Sequence, residues 1–303
     1  MKYYFVINPA AGPGTSEKKI REQLDGLNEL IDCEMYITKP DKDTTNFVRK
    51  TIEENPDKEL CFIACGGDGT INEVFEACAH KDNVYVSCFP NGSGNDFVKN
   101  YGADNFTVEG IIHGTKTKID IIRVEDRNCV NVTNFGIDTS VAKTVNEGRA
   151  KRGHGSSLDY PKGVVKAIFT SMKTRCKIIA DGELLNPEGE VLSVTLANGQ
   201  YVGGSYHCSP RAKLDDGLMD ICIIKPINII KFAQFIGVYS KGEHLDNEKI
   251  SKYLIYRQAK EVEVIAEDGF EYTIDGEIVG SSHFFCKVEP LALNFIAPEV
   301  KSR

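Results

Sequence analysis

Short apolar runs alternate with amphipathic segments through the first third of the chain. Residues 3–7, 31–38, 60–65 and 84–89 predict strands, and 16–30, 43–54 and 70–79 predict helices. Ile20, Leu24 and Leu27 share one face of the first helix, and Phe47, Val48 and Ile52 one side of the second. Such alternation gives a parallel sheet with helices on its faces. Past residue 119 the pattern changes to short runs at 129–134, 175–180, 191–197, 219–225, 262–266, 271–274 and 284–288. The dipeptides Asp181-Gly182, Asp216-Gly217, Asp268-Gly269 and Asp275-Gly276 separate several of them, and Asp-Gly is a tight hairpin signal. The reading is an N-terminal α/β domain over 1–122 and a mainly antiparallel β domain over 123–290, with helices near 160–172 and 227–239. The last run, 291–296, can add a strand to either domain, so that 291–303 can complete the first.

Composition narrows the class. The 303 residues are enough for two domains. A net charge of -8 and a pI near 5.4 argue against a duplex nucleic-acid partner. The opening run is too short for a signal-peptide core, and no uncharged apolar stretch reaches the roughly 18 residues that span a bilayer. The expectation is a cytoplasmic protein, bound at most to the inner face of a membrane. The ten cysteines include no C-x-x-C pair and sit among apolar neighbours, which predicts buried reduced thiols and argues against zinc.

Between the third strand and third helix lies Gly66-Gly67-Asp68-Gly69-Thr70, followed by Ile71-Asn72-Glu73. Glycines let the backbone approach a ligand, and N–H groups at a helix start cradle phosphate. An aspartate beside polyphosphate is repelled unless a divalent cation lies between them, so Asp68 suggests Mg2+-nucleotide chemistry. The plainer alternative is a strand-to-helix turn with Asp68 as its cap. Neither G-x-x-x-x-G-K-[ST] nor G-x-G-x-x-G occurs. Phe89-Pro90-Asn91-Gly92-Ser93-Gly94-Asn95-Asp96-Phe97 follows the fourth strand, and Asn8-Pro9-Ala10-Ala11-Gly12 the first. One such loop could be a surface turn. Three at strand carboxyl ends, where open α/β sheets bind ligands, are harder to explain that way.

These loops resemble the diacylglycerol kinase catalytic family, and in particular the bacterial soluble lipid kinases related to sphingosine and ceramide kinases. The resemblance continues through Asp120-Ile121-Ile122-Arg123-Val124, Asn134-Phe135-Gly136-Ile137-Asp138, Ala197-Asn198-Gly199, Gly203-Gly204, the 213–218 segment and Ile274-Asp275-Gly276-Glu277. It implies an NAD kinase/diacylglycerol kinase-like nucleotide domain and a C-terminal β-sandwich, with the active site in the cleft between them. It implies ATP held by Asn8, Pro9, Ala10, Ala11, Gly12, Thr38, Gly66, Gly67, Asp68, Gly69, Thr70, Ile71, Asn72, Ser93, Asn95 and Asp96. Asp68 and Asp96 would organise the catalytic Mg2+, and Glu277, beside Asp275, would accept the proton. Lys213, Asp216 and Leu218 match a second, structural Mg2+ site, lysine and leucine contributing carbonyls only. Ser93 stands where the family usually has Thr, and Val98-Lys99 where it usually has Ala-Arg. Asp181-Gly182-Glu183, nearly identical to 275–277, is read as a plain turn.

The acceptor implied is a lipid at a membrane surface, and the resemblance is compatible with a homodimer. Residues 143–177 hold nine basic residues against two acids, which suits either an anionic leaflet or an ordinary solvated face. The 227–239 stretch is apolar enough to touch lipid, but packing on the β domain is the better reading. His154, His207 and His244 receive no catalytic role. Two other functions stay open: a kinase of a soluble substrate, since NAD kinases and phosphofructokinases use similar loops, and a nucleotide-binding protein without catalysis.

Overall fold

The computed structural model describes residues 1–12, 14–39, 43–92, 94–152, 158–204 and 206–300. The chain forms two compact units, Met1–Ile119 together with the segment from Leu291, and Asp120–Pro290.

The first unit runs β1 (Lys2–Ile7), α1 (Ser16–Asp25), β2 (Cys33–Ile37), α2 (Asp43–Glu54), β3 (Leu60–Gly66), α3 (Asp68–Cys78), β4 (Val84–Pro90) and α4 (Val108–Ile112). The strands are parallel in the order β2-β1-β3-β4. Residues Asn294 and Phe295 extend the sheet beside β4, also parallel. β3 is buried at every position, as a central strand covered on both faces must be. Phe75 of α3 meets Phe97 and Phe295 edge-on, with ring centroids 5.2 and 6.1 Å apart. From β1 the chain passes to β2 on one side and to β3 on the other. The strand order therefore reverses between β1 and β3, the kind of switch point at whose carboxyl ends open α/β sheets bind ligands. The first helix stops at Asp25, not 30, because nothing packs on Leu30, which is fully exposed.

The second unit contains β5 (Thr115–Val124) from Asp120 onward, β6 (Arg127–Cys129), β7 (Val132–Gly136), α5 (Ile137–Arg152), α6 (Asp159–Thr170), β8 (Thr174–Ala180), β9 (Glu183–Leu184), β10 (Glu190–Val191) and β11 (Ser193–Ala197). It continues with β12 (Met219–Ile224), α7 (Ile229–Ser240), α8 (Glu248–Ser251), β13 (Leu254–Ala259), β14 (Glu261–Ala266), β15 (Glu271–Ile274), β16 (Glu277–Gly280) and the first part of β17 (His283–Ala297). One sheet is antiparallel in the order β13-β12-β11-β7-β15-β16. The other includes β10-β8-β14-β17, and alternation sets its faces: Phe284, Cys286 and Val288 point inward while His283, Phe285 and Lys287 face out. Val194, Leu196, Ile221 and Ile223 from the first sheet and Ile178, Val262, Val264 and Phe284 from the second share one core, so the unit is a β-sandwich. A second core lies between the outer face of the first sheet and the helices, built from Val132, Ile137, Val141, Phe232, Phe235 and Tyr239.

The strand expected over 129–134 is two strands. Val130 and Asn131 leave the ladder because their N–H groups turn to a side chain, that of Asp275. Among the described residues no helix is long and apolar enough to cross a membrane. The cysteines are free thiols, all but Cys33 buried.

Candidate functional site

Three loops meet at the carboxyl edge of the first sheet. The Asn8 N–H binds the Cys65 carbonyl at 3.0 Å, which ties the first loop to β3. Its side chain accepts the Ala10 N–H at 2.9 Å and donates to Thr70 Oγ1 at 3.1 Å, fixing that loop to the first turn of α3. Asn91 closes the third side: its N–H reaches the Gly66 carbonyl at 2.8 Å and its Nδ2 the Ala11 carbonyl at 2.9 Å. Gly12, at φ +56°, passes so near that a Cβ there would lie 2.1 Å from the Asn91 carbonyl oxygen. Thr38 is buried beside this corner, its N–H on the Ile7 carbonyl at 2.8 Å.

Asp68 opens α3, behind Gly67, and is tied to the next loop by the Asp96 N–H, 2.7 Å from Asp68 Oδ1. Burial raises the Asp68 carboxyl to about 6, and the charge of Asp96 adds to the rise. Lys99 binds Asp96 Oδ1 at 2.7 Å. Asp68 and Asp96 therefore lie together in a partly dry site, with Lys99 beside them. Gly94 lies between them: a Cβ there would fall 2.6 Å from Asp68 Oδ2 and 3.6 Å from Asp96 Oδ2. Oδ2 of each acid therefore borders the small space that a methyl group at Gly94 would fill. Hard oxygen donors from two adjacent acids fit a cation of the Mg2+ type. Gly94→Ala therefore keeps the fold but weakens Mg2+ binding at least tenfold, as calorimetric titration of the nucleotide–Mg2+ complex would reveal; unchanged affinity would place the ion elsewhere.

The other expected residues of this unit divide. Pro9, Ala10, Ala11 and Gly69 line the surface of the corner, Ala11 only partly exposed. Ile71 packs into the core, and Asn72 is buried with its Oδ1 unpartnered. Asn95, at φ +51°, spends its amide on Gly92, Oδ1 accepting the N–H at 3.0 Å and Nδ2 donating to the carbonyl at 2.8 Å, so its visible task is to lock the loop. Ser93 lies outside the described residues.

In the second unit, Asp275-Gly276 makes the β15–β16 turn with φ of +47° and +87°, the type I′ geometry that Asp-Gly favours. The Asp275 carboxylate accepts N–H groups from Val130 at 2.9 Å, Asn131 at 3.0 Å and Val132 at 2.9 Å, and the Cys129 thiol at 3.3 Å. Burial pushes this carboxyl up and the three N–H donors pull it back. With its lone pairs so occupied, Asp275 holds the turn and is no free base. Glu277 begins β16 exposed and pairs with Arg127. Asp181-Gly182-Glu183 has the same form: Asp181, at φ +46°, caps the N–H groups of Lys260 at 3.1 Å and Glu261 at 3.0 Å, and Glu183 pairs with Arg257 at 2.9 Å. Burial separates the two, since Asp275 is enclosed and Asp181 exposed.

The 213–218 segment wraps around Asp120, which is wholly buried. Asp120 Oδ2 accepts the Gly217 N–H at 2.7 Å, and its own N–H binds the Leu214 carbonyl at 2.6 Å. Asn198 Nδ2 bridges the Asp120 and Val130 carbonyls at 2.8 and 2.9 Å. Lys213 and Asp216 are exposed, and Asp216 Oδ1 takes the Leu218 N–H at 3.1 Å. Protein groups close this turn, and no cluster of three acids, histidines or cysteines exists among the described residues. A metal at Lys213, Asp216 and Leu218 rests on the resemblance alone.

A small apolar cavity of about 30 Å³ lies under α5, α6 and α7. Val141, Tyr160, Val164, Phe235 and Ile236 are among its walls. Asp138 reaches it, accepts the Ser193 hydroxyl, and is raised to about 6 by burial. On the outer sides of the same helices Val165 and Ile230 are 60% and 73% exposed. Most described cations of 143–177 are committed: Lys143 to Glu271, Arg152 to Asp159, Lys166 to Glu147, Lys173 and Arg175 to Glu190. His154 lies outside the described residues; His207 stacks on Tyr201, and burial lowers His244 to about 4.

Sequence reasoning missed Asn91 as the keystone of the loops and Arg127 as the partner of Glu277. Asn91 carries a signal, an amide beside the glycines; an arginine 150 residues from its glutamate carries none.

Two family models match the chain. The diacylglycerol kinase catalytic domain covers residues 2–124, and the YegS C-terminal NAD kinase beta sandwich-like domain covers 131–297. A diacylglycerol kinase of Bacillus subtilis (strain 168) is 28% identical over 281 residues, covering 91% of this chain and 89% of that one. A diacylglycerol kinase of Staphylococcus aureus (strain NCTC 8325 / PS 47) is also 28% identical, covering 91% and 85%. Among solved structures, a diacylglycerol kinase from Bacillus anthracis superposes with a TM-score of 0.70 at 22% identity, over 98% of this chain and 96% of that one. An NAD kinase from Archaeoglobus fulgidus in complex with ATP gives 0.50 at 13%, over 98% and 93%. At those identities the two structures speak for the fold alone.

Proposed function

Because the chain belongs to the diacylglycerol kinase family, with the catalytic domain and the YegS-type β-sandwich domain in that order, we propose that it is an ATP- and Mg2+-dependent kinase of a diacylglycerol-like lipid, giving a phospholipid such as phosphatidic acid. The observation that carries the reading is the cradle at Gly94, where Asp68 and Asp96 converge at the foot of α3. N–H groups at a helix start and in the loops around it suit a triphosphate. Mg2+, when bound by Asp68 and Asp96, would neutralise charge on the phosphates.

The chain's own groups have simple tasks. The loops at Asn8–Gly12, Gly66–Thr70 and Asn91–Asp96 hold the nucleotide. Glu277 takes the proton of the acceptor hydroxyl as that oxygen bonds to the terminal phosphorus and the bond from phosphorus to the bridging oxygen breaks, releasing ADP. Asp275 fixes the turn that presents Glu277. The cavity under α5, α6 and α7 is too small to enclose an acyl chain, but its apolar walls suit contact with aliphatic groups, each buried methylene stabilising by about 0.8 kcal/mol. Val165 and Ile230, exposed on helices that line this cavity, suit contact with a membrane surface approached from the cytoplasm.

The test is turnover of Mg·ATP with dioleoylglycerol in mixed micelles, beside sphingosine, NAD and a sugar phosphate. Wild type phosphorylates a lipid and neither soluble acceptor. Glu277→Ala loses about two to four orders of magnitude in kcat, the usual worth of a general base. It leaves the melting temperature unchanged, because Glu277 is exposed. Full activity in that variant removes the base, and turnover of NAD alone replaces the lipid reading with a soluble-substrate kinase.

A further inference from the structure

One short segment, residues 127–132, grips the Asp275-Gly276-Glu277 turn at two points. Its end gives the N–H groups of Val130, Asn131 and Val132 to the Asp275 carboxylate. Its start places Arg127 on Glu277 Oε2. Arg127 itself stands on a fixed base. It pairs with Val124 across a tight turn in which Glu125 adopts φ +53°. That turn is anchored to β17 twice, through the Glu125 N–H to the Phe285 carbonyl at 3.1 Å and the Phe285 N–H to Glu125 Oε1 at 2.6 Å.

An exposed glutamate on a hairpin samples many rotamers, and restricting such a side chain is worth up to about a tenfold population change. Asp275 fixes the backbone of the turn but not the glutamate's own torsions. We infer that Arg127 is the positioning residue of the phosphoryl transfer, holding the Glu277 carboxylate by one oxygen, in one rotamer, with its other oxygen left for the acceptor's proton. This rests on the role of Glu277 given above. Arg127 is absent from the residues that the motifs single out.

The molecule supplies its own control. Arg257 holds Glu183 at 2.9 Å on the matching Asp-Gly-Glu turn. If surface pairing alone mattered, the two arginines would count alike.

The experiment measures kcat and KM for Mg·ATP and dioleoylglycerol in wild type, Arg127→Met, Arg127→Lys, Arg257→Met, Glu277→Ala and the double variant Arg127→Met/Glu277→Ala. The expected result is a fall of about tenfold in kcat for Arg127→Met with both KM values within twofold and the melting temperature held. Arg127→Lys recovers part of the loss, because an ammonium still reaches the carboxylate, and Arg257→Met equals wild type. The double variant is no slower than Glu277→Ala alone, since a residue acting through Glu277 adds nothing once Glu277 is gone. Wild-type kcat in Arg127→Met, an equal loss in Arg257→Met, no recovery by lysine, or additive losses in the double variant would each overturn the inference. A Glu277→Ala enzyme at full activity would sink the function reading and this one together, a result distinct from failure of Arg127 alone.

Discussion

Asp68→Asn loses at least about three orders of magnitude in turnover and, in the same protein, gains stability at neutral pH. The first effect follows from removing one of two charges that hold the cation, a contribution worth several kcal/mol to phosphoryl transfer. The second follows from burial. The Asp68 carboxyl titrates at about 6 in the folded chain, against an ordinary 3.8. Between those values the folded state binds more protons than the unfolded one, so stability falls as pH rises through the window and stays low above it. Asparagine keeps the oxygen that accepts the Asp96 N–H and removes the charge. Without metal the variant is the more stable at pH 7.5, and the difference vanishes near pH 4. Thermal unfolding in chelator at the two pH values reads this directly. A variant less stable than wild type at pH 7.5 would mean that Asp68 is no strained acid.

Asp275→Ala has the largest effect on stability. Its carboxylate satisfies three backbone N–H groups and the Cys129 thiol in an enclosed place. Alanine leaves those donors buried without an acceptor, at about 1–3 kcal/mol each before relaxation. A net loss of about 3–5 kcal/mol is expected, a large part of the 5–15 kcal/mol that holds an ordinary domain together. Asp181→Ala, on the exposed twin of this turn, costs no more than about 1 kcal/mol. Urea midpoints measure both. Equal shifts would show that the enclosed carboxylate carries no special load.

The pair of turns also shows what residue order can convey. Asp181-Gly182-Glu183 and Asp275-Gly276-Glu277 read alike, and both fold as positive-φ hairpin turns with the aspartate capping a neighbouring strand. Only the environment, set by chain far away, tells them apart. The glycine loops were legible because strand ends, glycines and turn residues lie within a few positions of one another. Asn91 was not, since its role is to bridge loops about 80 residues apart. The helix α5 escaped the pattern for another reason. Ile137, Thr139, Val141, Thr144 and Val145 are β-branched and favour strands, yet Ile137, Val141 and Val145 recur at helical spacing and pack on the second core. Tertiary packing overrode propensity there. β13 was missed because Leu254, Ile255 and Tyr256 run together on an edge strand, with no alternation to betray two faces.

The most direct measurement is the fate of the terminal phosphate of labelled ATP when the enzyme, Mg2+ and a total lipid extract are incubated together beside a water-soluble metabolite fraction. The account predicts label in a chloroform-soluble phosphomonoester, and none with Asp68→Asn. Label confined to the aqueous fraction, or equal lipid labelling by that variant, would contradict it.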